Sequence, residues 1–568
     1  MSTFDIATAL VFSLLVFALG LSFSRSGGNA KSFFAAGGAV PWWINGLSLF
    51  MSFFSVGTFV VWGSIAYNSG MVAVTIQSTM CLAGFVIGFY IAPKWNETRA
   101  LTAAEFISDR LGAGTQKFYT IIFLVIALFG SGAVLYPVGK IVEVTTGIPL
   151  STSIIALGVL IVIYTAVGGL WAVLVTDVLQ FVVLSAAVLI VVPLAFDQVG
   201  GVSGFVSKVP EGFFDLQNAE YTGWFLAAFG IYHMALIGGN WAYVQRYTSV
   251  ANPQDAKKVG WLFGALYLIA PLVWMLPPMI YRVMEPGLSA SESEGAYLMV
   301  SQAVVPDGLM GLILGAMVFA TASSLNTTLN ISAGVFTNDI YKSLRSGASE
   351  KETMLVARLS TFAFGVPAVC VALMVTTMGG IVSVVLSMAA LVGAALFLPP
   401  MWSLFSKAQT GTSVMIATVS ALSINFAFKF LIPLVNDFSL SRSQEMVLGI
   451  VVPVLVLAAF DLKFKLQNKS NPQYDQYLEI WKKKHLSQSA LEHEGSEEAN
   501  AYSRKIIGFG MFCIGLLIAV LGMLADKAQL LIQVTGWVIV LVSLVVIPRP
   551  WFAGKKRTDE NDSPAASL

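Results

Sequence analysis

The chain has 568 residues, 57% hydrophobic and 11% charged, with a formal net charge of +1 and a mean hydropathy of +0.79. Soluble domains carry roughly 25% charged residues, so the composition excludes a soluble globular protein and defines a polytopic membrane protein. The near-neutral balance offers no basic surface for a nucleic-acid partner.

Cys81, Cys370 and Cys513 all lie in apolar runs, which argues against a disulfide framework. His233, His485 and His493 form no metal-ligand spacing, and no nucleophile–base set is seen, which argues against an enzyme. The first apolar run has Asp5 before it and basic residues after it. A cleavable signal peptide has the opposite flanks, so a retained first span is expected.

A membrane-spanning helix needs about 20 mostly apolar residues. About fifteen such segments are predicted, near 4–24, 40–66, 70–93, 116–143, 150–171, 173–196, 222–246, 259–284, 308–340, 356–377, 379–405, 411–435, 446–462, 506–525 and 529–547. Lys and Arg in the short loops fall on one side when the N-terminus is outside and the C-terminus cytoplasmic. They are Arg25 and Lys31, Lys94 to Lys117, Arg246 to Lys258, Lys342 to Lys351, Lys407, and Lys555 to Arg557. The acidic loop 285–307 then lies outside. The expected location is the cell (inner) membrane. Residues 464–505 read as a charged, solvated cytoplasmic connector without a nucleotide-binding glycine loop. Residues 552–568 read as a disordered tail.

Polar and small residues in four spans carry the functional reading. The second span, SLFMSFFSVGTFVVWGSIAYNSG, has Ser-Val-Gly-Thr at its middle. A helix broken there frees backbone groups for an ion or solute, while the alternative is close packing through small residues. Asp177 in VLVTDVLQF is an intramembrane carboxylate, a costly group that is either functional, or placed near an interface or paired with a lysine. Asn240, Trp241, Tyr243 and Gln245 place amides and aromatic faces near the end of a span, suited to a polyhydroxylated ligand or to an interfacial belt. The ninth span reads GAMVFATASSLNTTLNISAGVFTNDIYK. Ala320, Ser323, Ser324 and Thr327 share one helical face at i, i+3, i+4 and i+7. Neutral oxygen ligands suit sodium; the other reading is hydroxyls bonded back to carbonyls.

The stretches YTAVGGLWAVLVTDVLQ, NWAYVQR with Lys257 and Lys258, and ATASSLNTTLNISAGVFTNDIYK resemble, in this order, the sodium/solute symporter family. The resemblance runs from about residue 5 to 462. It implies an all-α membrane protein with a five-plus-five inverted-repeat core (LeuT-like) and flanking helices. The implied division is 1–39 for an extra span and loop, 40–405 for the transport core and 406–463 for flanking spans. The charged loop at 464–505, two more spans at 506–548 and a tail at 549–568 follow. It implies Na+ as coupling ion, one or two per cycle, held by Ala320, Ser323 and Ser324 with the backbone carbonyls of Met51 and Phe54. Some members bind a second sodium at positions that read here Asp177, Asn326 and Thr327, with Ser323 shared. Asn326 stands where those members have a hydroxyl.

The solute positions of galactose-carrying members read here Thr58, Gln77, Asn240 and Tyr267, with Tyr243 as an aromatic gate. Thr58 replaces a glutamine, Gln77 a glutamate and Tyr267 a lysine, and a tenth-helix glutamine falls at Val385. Sialic-acid carriers place an arginine in the third helix, and FLVIALFGSGAVLYP has none. The first-helix aspartate of proline carriers is absent too. The expected function is sodium-coupled import of a neutral sugar or polyol by alternating access. The alternatives are a sialic acid, amino acid or other organic acid as solute, and a transporter-like sensor. The partners implied are a small-molecule solute, sodium ions and the lipid bilayer. The oligomeric state is not set by the sequence.

Overall fold

The computed structural model of the protein describes residues 2–22, 40–100, 102–164, 170–341, 344–345, 347, 349–436, 438–467, 471–488 and 496–547. The Gly168-Gly169 motif, the loop cations Arg25 and Lys31, and the C-terminal tail lie outside them. So do the side chains of Ser323, Asn326 and Thr327. Among the described residues the regular structure is helical, without strands. Within the described residues each predicted apolar segment falls mainly on helix. Among the described residues ten helices are long and apolar enough to cross a membrane by length and composition, and four shorter apolar helices accompany them.

The chain begins with α1 (Thr3–Ser22). The next span is interrupted: α2 (Trp42–Met51) ends in a turn at Ser52–Ser55, and the helix resumes through a wide π turn (Thr58–Trp62) into α3 (Gly63–Ser69). The core continues with α4 (Met71–Glu97), α5 (Ala103–Leu111), α6 (Ala113–Thr146), α7 (Leu150–Tyr164) and α8 (Leu170–Val199). A second interrupted span follows, α9 (Gly223–Gly239) and α10 (Trp241–Thr248). Asn240 between them leaves the helix at φ −68°, ψ 131°, and its side chain caps α10 by accepting from Ala242 N at 3.0 Å. Such a cap supplies a partner for an amide that has none within the helix.

Next come α11 (Pro253–Met284), two short helices α12 (Ala290–Ser293) and α13 (Ala296–Val304), and α14 (Leu309–Val335). They are followed by α15 (Glu350–Met374) and α16 (Gly380–Trp402). The flanking helices are α17 (Gly411–Asn436) and α18 (Arg442–Gln467), α19 (Pro472–Gln488), α20 (Ser496–Leu524) and α21 (Gln529–Val546). The interrupted spans are the first and sixth helices of the core, the positions related by an inverted repeat.

Two packed bodies result. In one, α2 and α4 pack on α11, and α9 packs on α4. The α4–α11 crossing is made by Gly84, Gly88, Gly260 and Gly264; a Cβ on Gly260 would lie 2.5 Å from the Gly88 Cα. Small residues there let the backbones touch, which is how helices gain contact in lipid. In the other body α6 packs on α7, α14 and α15. α8 lies between them, touching α2, α11 and α14.

Asp5 accounts for the extra span. Its Oδ1 accepts from Gly308 N at 2.7 Å and Gly311 N at 3.2 Å, so α1 caps the N-terminus of α14. Phe12 then meets Phe319 edge-on, with ring centroids 6.5 Å apart.

Part of the segment expected to be a solvated connector is docked on the bundle. α18 runs on to Gln467, and α19 is docked on the end of the bundle near α5. Trp481 Nε1 donates to Glu97 O at 2.8 Å, and Lys484 binds Glu105 and, at 2.7 Å, Asp109. The Arg110 guanidinium lies 4.9 Å from the Tyr474 ring. Charge alone suggested solvation, yet every one of these charges has a partner on α5 or α19.

Asp5→Ala removes a buried cap, and caps of this kind are worth about 0.5–2 kcal/mol. The melting temperature of the purified protein is expected to fall, and to fall less for Asp5→Asn. An unchanged melting temperature in both variants would show that the cap contributes nothing.

Candidate functional site

The first break is built by side chains that take over backbone amides. Ser55 N would normally donate to the Met51 carbonyl; it donates to Thr58 Oγ1 at 3.2 Å. Thr58 N would normally serve the Phe54 carbonyl; it donates to Ser55 O at 2.9 Å. Val56 N donates across to Thr321 Oγ1 on α14 at 3.2 Å. The carbonyls of Met51 and Phe54 are thereby deprived of their helical donors. Those two oxygens are the ones expected to hold sodium. Thr321 fixes the break against α14, one residue from Ala320. It was missed in the sequence because one threonine among many hydroxyls carries no distinguishing signal.

On α14, Ser324 Oγ donates back to Ala320 O at 3.2 Å, and Thr328 Oγ1 to Ser324 O at 3.1 Å. The bonded-back reading of these hydroxyls therefore holds for their protons. Their lone pairs remain available, and Ser324 and Thr328 face a cavity. The expected ligands Ser323, Asn326 and Thr327 lie outside the described side chains.

That cavity, of about 210 Å³, also receives Ser52, Asp177, Asn240, Tyr243 and Arg246. Asp177 and Arg246 are almost fully buried, at 6% and 3% exposure. Ser48 Oγ donates to Asp177 Oδ2 at 2.7 Å, and Arg246 Nη2 donates to Ser48 Oγ at 3.3 Å. A serine thus bridges carboxylate and guanidinium, and the Asp177 charge is compensated by an arginine from the sixth helix. Tyr243 faces the cavity, and Trp241 stacks on Phe123 with centroids 4.8 Å apart, so this aromatic pair is interior rather than an interfacial belt.

The five expected solute residues are not gathered in one cavity. Asn240 and Tyr243 line it; Thr58, Gln77 and Tyr267 do not. Thr58 uses its hydroxyl at the break, donating to Phe53 O. Gln77 and Tyr267 are buried, at 1% and 0% exposure. Among the described residues Gln77 Nε2 and Tyr267 Oη have no hydrogen-bond partner. Between the tyrosines stands Phe53 from the break, 4.7 Å from the Tyr243 ring and 5.7 Å from Phe263, which in turn lies 4.8 Å from Tyr267.

Two interrupted helices crossing beside a hydroxyl-bearing eighth helix define a secondary transporter. A sequence model of the sodium:solute symporter family matches residues 33–419, and the chain belongs to that family. It is a sodium-coupled symporter, and the family is one of transporters. The chain is similar to the sodium/glucose cotransporter of Vibrio parahaemolyticus, 27% identical over 512 residues, covering 83% of this chain and 92% of that protein. It is also similar to sodium/glucose cotransporter 1 of Mus musculus, 27% identical over 405 residues, covering 62% of this chain and 60% of that protein. Among solved structures, a Na+-coupled sialic acid symporter in a substrate-bound outward-open state superposes with a TM-score of 0.67 at 21% identity. That match covers 82% of this chain and 98% of the other, and it shows the shared five-plus-five inverted-repeat (LeuT-like) fold.

The buried bridge generates a coupling test. Asp177→Asn and Arg246→Gln are each expected to lower the melting temperature, because each leaves a buried partner unmatched. The double variant should lose less than the sum. Additive losses would show that Ser48 does not couple the two.

Proposed function

We propose that the protein imports a neutral sugar or polyol together with sodium by alternating access. The end bearing α12 and α13 faces outward, and the end bearing α5 and α19 faces the cytoplasm. This orientation follows the positive charges at Lys94, Lys257, Lys258 and Lys407. Sodium is held between the carbonyls of Met51 and Phe54 and the α14 residues Ala320, Ser323 and Ser324. Each Na+ entering through 100 mV gains about 2.3 kcal/mol, before any concentration gradient is counted.

The observation that carries the solute assignment is the pair of buried, unpartnered polar atoms, Gln77 Nε2 and Tyr267 Oη. An unmade hydrogen bond in the interior costs about 1–3 kcal/mol. Other buried polar atoms share this state, and what distinguishes these two is that both fall at the expected solute positions, where a solute hydroxyl supplies the partner. Thr58, Gln77, Asn240, Tyr243 and Tyr267 carry no formal charge. The Asp177 and Arg246 that share the cavity with Asn240 and Tyr243 neutralise each other through Ser48, so a buried ionic solute would need a counter-charge of its own. A polyhydroxylated solute needs none, and a tyrosine face covers its apolar side. The similarity to sodium/glucose cotransporters agrees with this reading. Thr58 contributes by shaping the break, since its hydroxyl is already engaged there.

Asp177 is compensated by Ser48 and Arg246, so an ion beside it, toward Asn326 and Thr327, would compete with the arginine. That favours one sodium per cycle. The wild-type Hill coefficient for sodium is expected to be one. A value above one that falls to one in Asp177→Asn would assign a second ion to that place.

Ser324→Ala should raise the half-saturating sodium concentration severalfold in proteoliposome uptake. Gln77→Ala should raise the half-saturating solute concentration about tenfold, equivalent to roughly 1.4 kcal/mol. Competition by a panel of sugars, polyols, sialic acids and amino acids tests the class. Inhibition by an acid or zwitterion, with none from any neutral sugar or polyol, would overturn it.

A further inference from the structure

α12 is a single turn closed by a capping box, in which Ser289 accepts from Glu292 N and the Glu292 carboxylate accepts from Ser289 N at 2.8 Å. Its last residue and the next one reach in different directions. Ser293 is fully buried and donates its proton to Ala290 O at 2.8 Å. It therefore accepts from Ser64 Oγ at 2.7 Å and Asn68 Nδ2 at 3.1 Å, both on α3. Tyr67, on the same helix, accepts from Leu288 N at 3.1 Å and donates to Glu285 O. The loop is thus tied to the outer half of the first core helix.

Glu294 makes the opposite connection. It is 5% exposed. Its Oε2 accepts from Tyr136 Oη on α6 at 2.8 Å, and its Oε1 accepts from Ile381 N in the first turn of α16 at 3.2 Å. Gly380, at φ +83°, brings that helix start close: a Cβ there would sit 3.0 Å from Glu294 Oε1. A carboxylate at a helix N-terminus is favoured by the unpaired amides and the helix dipole. Beside this junction lies a cavity of about 420 Å³, lined by Ser64, Asn68, Tyr136, Ser291, Glu294 and Ser383 among others. Two adjacent residues therefore join α3, which packs on α11 and α4, to α6 of the other body and to the start of α16.

We infer that Ser293 and Glu294 form a clasp that holds the outer end closed, and that the Glu294 carboxylate sets how often that end opens. The inference rests on the alternating-access reading and its orientation. Rocking of one body against the other opens this end by separating α3 from α6, so either the Ser293 arm to α3 or the Glu294–Tyr136 arm to α6 must break. Weakening either arm raises the population of the outward-open state. External sodium binds that state, and its apparent affinity scales with the fraction of molecules in it. Re-closure, needed for turnover, becomes less favourable.

The test uses the full-length protein in right-side-out vesicles. Glu294→Gln and Ser293→Ala should each lower the half-saturating external sodium concentration severalfold and lower the maximal uptake rate. Tyr136→Phe should act in the same direction. A second measurement needs no solute. In a chain with Cys81, Cys370 and Cys513 replaced by serine, Ser383→Cys is labelled with a membrane-impermeant maleimide. Adding Glu294→Gln should speed labelling severalfold. General damage would raise the half-saturating sodium concentration, so a rise, or no change in either measurement, overturns the clasp. If the orientation is wrong, Ser383→Cys reacts only in inside-out vesicles, which separates that failure from failure of the clasp. The outcome of the labelling does not depend on which solute is carried.

Discussion

A backbone that stops being helical inside a membrane must find new partners for every amide it frees, because lipid offers none and each orphan costs several kcal/mol. The turn at Ser52–Ser55 meets this constraint with two bonds to hydroxyls, Thr58 Oγ1 and Thr321 Oγ1, and one to a backbone carbonyl, Ser55 O. The amides of Ser55, Val56 and Thr58 are satisfied, while the carbonyls of Met51 and Phe54 lose their helical donors. An oxygen cradle is thus a by-product of repairing the donors alone. Because Thr321 belongs to α14, the repair also fixes where the hydroxyl-bearing helix sits relative to the break.

The same economy governs charge. Asp177 and Arg246 come from the fifth and sixth core helices and are nearly inaccessible. Ser48, on the helix that ends at the break, accepts from one and donates to the other. Three helices that converge on the cavity therefore depend on one another for neutralisation. Displacing any of them by a few ångströms exposes a charge to hydrocarbon or to the cavity, a strong reason for discrete rather than continuous rearrangement.

Helices outside the inverted repeat are keyed to its moving parts rather than merely surrounding them. α1 caps the start of α14 through Asp5. α19 holds the end of α4 and the α5 loop through Trp481 and Lys484. The first lies at the end where Glu294 joins the two bodies and the second at the opposite end, so each end has its own restraint.

Much of the architecture was legible in the sequence. Unbroken apolar stretches report spans directly, since hydrocarbon tolerates little else, and the weak helix formers around Gly57 announced a break. Part of the cavity lining was legible as well: Ser324 on α14, the intramembrane Asp177, and Asn240 with Tyr243. What those groups do was decided only by the tertiary structure, because hydrogen bonds are made across helices hundreds of residues apart. Sequence could not pair Asp177 with Ser48 and Arg246, could not assign Thr58 to the break, and gave Thr321 no distinction. It left Glu294 as one acid in an acidic loop, although the fold buries it against Tyr136 and the first turn of α16. Nor could it dock α19, since charge density reads as solvation until the partners on α5 are in place. Local pattern sets which segments are helices and which carry oxygen; only three-dimensional proximity determines which oxygen meets which donor.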